Sequence, residues 1–178
     1  PRDDGTLVPA LPAAAWGNTI ERFPDGGIDF NKPDQFGVID TTFLTIVNNR
    51  IIDNGDGLPP PPFPPFIPPI LTSDNGITVV AQNVADVDAR IEDNVITGSG
   101  GVFNDVPFGN GIHIQGQDAF VPLDGLAMRV DIERNTITRS AVHGIFVAAD
   151  SDDPDNPDRP EIDISIVDNV ISDNGSSL

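Results

Sequence analysis

The sequence predicts an all-β chain wound into a coil of about five turns with long loop excursions, on three observations. A phrase of the form apolar, polar, Ile, two polar residues, Asn, any residue, Ile is written four times. A second phrase, Gly-Ile-x-apolar, lies between successive copies of the first. Both alternate apolar and polar residues with period two, the spacing of a strand with one buried face, and no stretch holds apolar residues at i, i+3, i+4 and i+7 over three helical turns.

In chain order, "AAAWGNTI" (13–20) is a worn first copy that keeps only the Asn and the final Ile, and "GIDF" (27–30) follows it. Next come "LTIVNNRI" (44–51) with "GITV" (76–79), "ARIEDNVI" (89–96) with "GIHI" (111–114), and "VDIERNTI" (130–137) with "GIFV" (144–147). The last copy is "ISIVDNVI" (164–171). Two short strands per repeat suit a coil that climbs one strand spacing, about 4.8 Å, per turn, so that each Ile stacks on its counterpart. The recurring Asn18, Asn49, Asn94, Asn135 and Asn169 stand 31, 45, 41 and 34 residues apart. Each is expected at a bend, in the left-handed region that Asn tolerates, donating its amide to a neighbouring turn; together they would form a ladder.

The "I-x-x-N-x-I … G-I-x-V" alternation over roughly residues 15 to 175 resembles the right-handed parallel β-helix superfamily, the pectate-lyase-like fold. The resemblance implies a right-handed parallel β-helix solenoid of bacterial surface or secreted type. It says little of activity, because that scaffold carries lyases, hydrolases, epimerases, tailspikes and adhesins alike.

Composition narrows the function. The 178 residues suit one β-helix domain, 1–178, either a fragment of a longer array or a subunit within one. With 28 acidic against nine basic residues the formal charge is −19, which argues against nucleic acid and acidic membrane surfaces as partners. No run reaches the roughly 18 apolar residues of a membrane span. The absence of cysteine excludes thiol catalysis and a disulfide scaffold, and with the acidity and Asn/Asp/Gly-rich loops it suits an extracellular or cell-surface protein.

Excursions are expected at 53–75, 98–110, 115–128 and 148–161. The first holds "LPPPPFPPFIPPIL" (58–71), with eight prolines. In polyproline II, with three residues per turn, Phe63 and Phe66 share one edge and Ile67 and Ile70 another. The stretch is read as a stiff arm covering its own coil wall or packing on a neighbouring subunit. At the ends, "SDNGSSL" stops where a strand is due and "DDGTLVP" offers one, which points to a longer array or to identical subunits stacked head to tail.

Chemistry on such a scaffold works from outward positions: Asp29, Thr78, His113 and Phe146 on one strand set, Thr45, Arg90, Asp131 and Ser165 on the other. Neither row puts two acids on neighbouring turns, as a glycoside hydrolase with carboxylates about 5 to 9.5 Å apart requires. The catalytic candidates are therefore His113 alone, or Arg90 with Asp131, which otherwise form a cross-strand ion pair. Calcium is the cofactor the sequence allows: "ADSDDPDNPD" clusters Asp150, Asp152, Asp153, Asp155 and Asp158, hard oxygen donors of the kind Ca²⁺ takes.

The expectation is an extracellular structural or adhesive module without catalysis, self-associating or joined to neighbouring repeats. The alternative is a polysaccharide lyase, epimerase or hydrolase, and glycan binding without catalysis is a third reading.

Overall fold

A computed structural model of the chain describes residues 13–22, 26–32, 41–54, 74–82, 86–103, 106–118, 127–151 and 161–175. These residues are all β, without a helix, and build three parallel sheets. The first repeat is β1 (Ala13–Trp16), β2 (Thr19–Glu21) and β3 (Ile28–Lys32). The second is β4 (Thr41–Val47), β5 (Arg50–Ile52) and β6 (Ile77–Gln82). The third is β7 (Asp86–Glu92) and β8 (Val95–Thr97), then a pair β9 (Gly101–Phe103) and β10 (Val106–Phe108), then β11 (Ile112–Asp118). The fourth is β12 (Ala127–Glu133), β13 (Thr136–Thr138) and β14 (Ile145–Ser151), and β15 (Glu161–Val167) and β16 (Val170–Ser172) close the series.

Each repeat hands one strand to each sheet in turn. Sheet A is ordered β1-β4-β7-β12-β15, sheet B β2-β5-β8-β13-β16, and sheet C β3-β6-β11-β14. This succession is compatible with a parallel β solenoid, and it corrects the count of two strands per repeat. The long phrase turns a corner at its Asn, so that its first half lies in sheet A and its last residues in sheet B. The 98–110 excursion also holds an antiparallel pair, β9 with β10.

Period-two patterning decides which side chains face inward. Ala15, Ile46, Ile91, Ile132 and Ile166 are successive register partners in sheet A. Ile20, Ile51, Ile96, Ile137 and Ile171 form the matching row of sheet B. Ile28, Ile77, Ile112 and Ile145 form that of sheet C. The central members are fully buried, each stabilising the fold by about 2 kcal/mol.

The glycine that opens each sheet C strand is explained by these rows. A Cβ on Gly111 would come within 3.0 Å of Ile137 Cγ2, the Gly144 carbonyl oxygen and Ser140 Oγ. Gly76 meets Ile96 and the Gly111 carbonyl in the same way. The two phrases therefore interlock, the glycine of one repeat lying under the final isoleucine of the next.

The left-handed residue of the bend is not the asparagine but the one before it. Gly17, Asn48, Asp93, Arg134 and Asp168 have φ of 52° to 66°. The asparagine must turn its amide inward, so its outward neighbour takes the strained conformation, at about 1 kcal/mol for a non-glycine. That cost is offset by hydrogen bonds to the next repeat: Asn48 N–H donates to the Glu92 carbonyl (3.1 Å) and Asp93 N–H to that of Glu133 (3.1 Å).

Candidate functional site

The five asparagines stand in one column. Asn18 Nδ2 donates to Asn49 Oδ1 (3.0 Å), Asn49 Nδ2 to Asn94 Oδ1 (2.9 Å), Asn94 Nδ2 to Asn135 Oδ1 (2.9 Å), and Asn135 Nδ2 to Asn169 Oδ1 (3.0 Å). Each Oδ1 also accepts the backbone N–H of the preceding asparagine, at 2.8 to 3.0 Å. The second amide hydrogen reaches back one repeat: Asn94 Nδ2 to the Ile46 carbonyl and Asn135 Nδ2 to that of Ile91, both at 2.9 Å. One side chain thus ties three repeats together with its full donor and acceptor capacity.

Sequence reasoning did not find a second column. Asn110 donates through N–H (2.7 Å) and Nδ2 (3.1 Å) to Asn75 Oδ1, and His143 N–H donates to Asn110 Oδ1 (3.2 Å). The Asn110 and His143 donors point toward earlier repeats, opposite to the first column. Because the Asn75 oxygen faces Asn110, its Nδ2 faces Thr78 Oγ1 (3.1 Å) and His113 Nδ1 (3.1 Å). His113 Nδ1 is then the acceptor, which places the ring hydrogen of the neutral imidazole on Nε2. His113 meets Phe146 in a T-shaped contact at 5.2 Å, and His143 stacks on Phe146 at 5.6 Å. His113 is thus built into the second column and the ring cluster, its Nδ1 lone pair engaged by an amide.

Asp29, Thr78, His113 and Phe146 share one row of sheet C, and Thr45, Arg90, Asp131 and Ser165 one row of sheet A. Arg90 and Asp131 are register partners, yet the Arg90 guanidinium goes to Glu92, pairing through Nε and, at 2.7 Å, through Nη2. Residues two apart on a strand share a face, a signal "RIE" carried and sequence reasoning missed. Arg134 completes the cluster, its Nη2 on Glu92 Oε2 (2.7 Å), its Nε on Asp93 Oδ1 (2.9 Å) and its Nη1 on Glu133 Oε2 (2.8 Å).

The hydrogen bond from Arg90, and then the charges of Arg90 and Arg134, hold the Glu92 carboxyl below its ordinary range, against a burial that pushes it up. Asp93 is lowered by Arg134, and both arginines are raised by the carboxylates they grip. The arrangement neutralises charge on the outer wall and braces consecutive repeats.

Asp150 lies on the last strand of sheet C, while Asp152, Asp153, Asp155 and Asp158 fall outside the described residues, as do Phe63, Phe66, Ile67 and Ile70. Among the described residues no group of three His, Cys, Asp or Glu could hold a metal ion.

The remaining distinctive surface is the edge formed by β14, β15 and β16. Ile166 is 48% and Ile171 46% exposed, while their register partners Ile132 and Ile137 are fully buried. Val147, on the inward row of β14, is also exposed. These side chains belong to the interior rows of the solenoid-like stack and end them uncovered.

No family model matches the chain, and comparisons with curated proteins and with solved structures found no match.

Proposed function

We propose that this chain is a right-handed parallel β-helix of the pectate-lyase-like kind, serving as an extracellular structural or adhesive module that grows by stacking repeats on its β14–β16 edge. The right-handed sense rests on the strong preference of parallel strand crossovers for that hand. The observation that carries the reading is the exposure of Ile166 and Ile171 where their counterparts are buried. An edge that leaves interior isoleucines and a row of strand hydrogen-bonding groups open is a template for another strand. The formal charge of −19 and the lack of cysteine suit an extracellular setting.

The test is light scattering on the 178-residue chain across a concentration series, beside the double variant Ile166→Lys, Ile171→Lys. The expected outcome is a mass that rises with concentration for the unaltered chain and stays monomeric for the variant. A monomer throughout for the unaltered chain overturns the proposal.

A further inference from the structure

We infer that His113 is a proton-sensitive latch on the second column. Neutral, it accepts the Asn75 amide and ties the approach to β6 to β11; protonated, it must let that amide go. The latch lies among the middle repeats and is independent of what covers the β14–β16 edge.

Its first part is an amide that cannot turn round. Asn75 Oδ1 accepts the Asn110 backbone N–H (2.7 Å) and Asn110 Nδ2 (3.1 Å), and a backbone N–H can only donate. Asn75 Nδ2 is therefore fixed toward Thr78 Oγ1 and His113 Nδ1, each 3.1 Å away. Reversing the amide to suit a protonated ring would set Nδ2 against both Asn110 donors. Asn75 and Thr78 are 5% and 4% exposed, so water has little access to replace a lost partner.

The second part is the ring. A neutral imidazole has one acceptor nitrogen, whereas an imidazolium carries a hydrogen on both, whatever Nε2 meets. Protonation thus sets N–H against N–H at Nδ1, and a hydrogen bond made only to the neutral form disfavours the charged one. The ring relieves the conflict by turning Nδ1 away, which leaves the Asn75 amide with Thr78 alone.

Among the described residues, the neighbours of His113 in its outward row, Thr78 on β6 and Phe146 on β14, are uncharged, as is Gln115 two residues on. Three titratable groups stand around them. Asp29 on β3 is exposed and two strands away, about 10 Å, the range at which salt screens it. Asp74 is buried and precedes Asn75 in the chain, and His143 stacks on Phe146. Ionised, the two carboxylates favour a charged His113 and a charged His143 opposes it. In the latch the direct contact on Nδ1 prevails over both carboxylates.

The chain has two histidines, so ring nitrogen NMR across a pH series separates them, with His143→Gln as the assignment control. The expected result is an Nε2–H tautomer for His113 at neutral pH and a midpoint about one unit or more below the ordinary 6.5. Asn75→Asp places an oxygen opposite Nδ1 and moves the midpoint above 6.5. An Nδ1–H tautomer, a midpoint at or above 6.5 in the unaltered chain, or a midpoint that Asn75→Asp leaves in place overturns the latch. The unaltered chain alone decides where the variant does not fold.

Stability gives a second readout. The unfolded ring titrates near 6.5, so the latch contributes in full above that value and its contribution is lost as pH falls toward the depressed folded one. His113→Gln is the reference, because its side-chain oxygen accepts the same amide and does not titrate. Relative to it, the Tm of the unaltered chain falls by about 3 °C between pH 7 and pH 5. A difference that stays constant over this range shows His113 to be a fixed part of the wall, and the latch is lost.

Discussion

Replacing Asn94 by alanine tests the column at its most buried point. Its side chain takes part in four hydrogen bonds: to Asn135 Oδ1 and the Ile46 carbonyl, and from Asn49 N–H and Asn49 Nδ2, each 2.9 Å. Asn135 Oδ1 keeps the N–H of residue 94 after truncation. Asn49 N–H is left without an acceptor, at a position water does not reach because Asn49, Asn94 and Asn135 are all buried, whereas Asn49 Nδ2 keeps the Ala15 (2.9 Å) and Val47 (3.2 Å) carbonyls. With about 2 kcal/mol for that orphaned donor and about 1 kcal/mol for each of the two bonds the Asn94 amide donated, the loss is about 4 kcal/mol. In guanidinium unfolding this lowers the midpoint by about 1 M with an unchanged slope.

Asn169→Ala is the control. It removes the same acceptor from Asn135, but Asn169 is half-buried and water compensates, so the loss is about 1 kcal/mol. Asn94→Asp separates donor from acceptor: it keeps the oxygen facing Asn49 and turns the amide nitrogen into an oxygen facing two acceptors. At neutral pH it is as damaging as alanine. Burial raises the new carboxyl in the folded state, so relative to the unaltered chain at the same pH the damage eases as pH falls through that raised value. Equal losses for Asn94→Ala and Asn169→Ala, or a loss below about 1 kcal/mol at Asn94, refute the reasoning.

Two further outcomes are expected. Glu92 is lowered in the folded state, so its contribution is complete above the ordinary value of 4.5 and is lost as pH falls through the depressed one. Because both arginine partners are exposed, Glu92→Gln costs about 1 kcal/mol at pH 7, and its stability curve is flatter than the parent's below pH 4.5; parallel curves in that acid range tell against the ion cluster. Ser140 Oγ is buried with no partner among the described residues, whereas its counterpart Asn174 accepts Ser140 N–H (2.8 Å) and donates to the Ile137 carbonyl (3.4 Å). Ser140→Asn would make the corresponding bonds to Ser99 N–H and the Ile96 carbonyl, raising Tm by about 2 to 4 °C; a lower Tm by calorimetry shows that the site has no room for the amide.

The buried rows were legible because isoleucine at alternate positions has one structural meaning when it recurs beside the same asparagine. What escaped was set by neighbours distant in sequence. The corner between sheets A and B was hidden in the long phrase, since alternation continues on both sides of it and only the left-handed residue marks it. That residue is Gly, Asn or Asp in four repeats but Arg134 in the fourth copy, which obscures the pattern. The second amide column shows as just two asparagines, Asn75 and Asn110, because His143 takes the next place with its backbone alone. Register pairs Arg90 with Asp131, but the shorter reach along its own strand to Glu92 wins.

The counter-running amide columns have an electrostatic consequence. A single file of aligned amides adds its dipoles head to tail, and a long stack would build opposite partial charges at its two ends, as a helix does. The amide of Asn110 runs against those of the Asn18–Asn169 file and offsets only one of their steps. The longer file outweighs the shorter, so each repeat that carries a column asparagine adds to the axial moment of the stack.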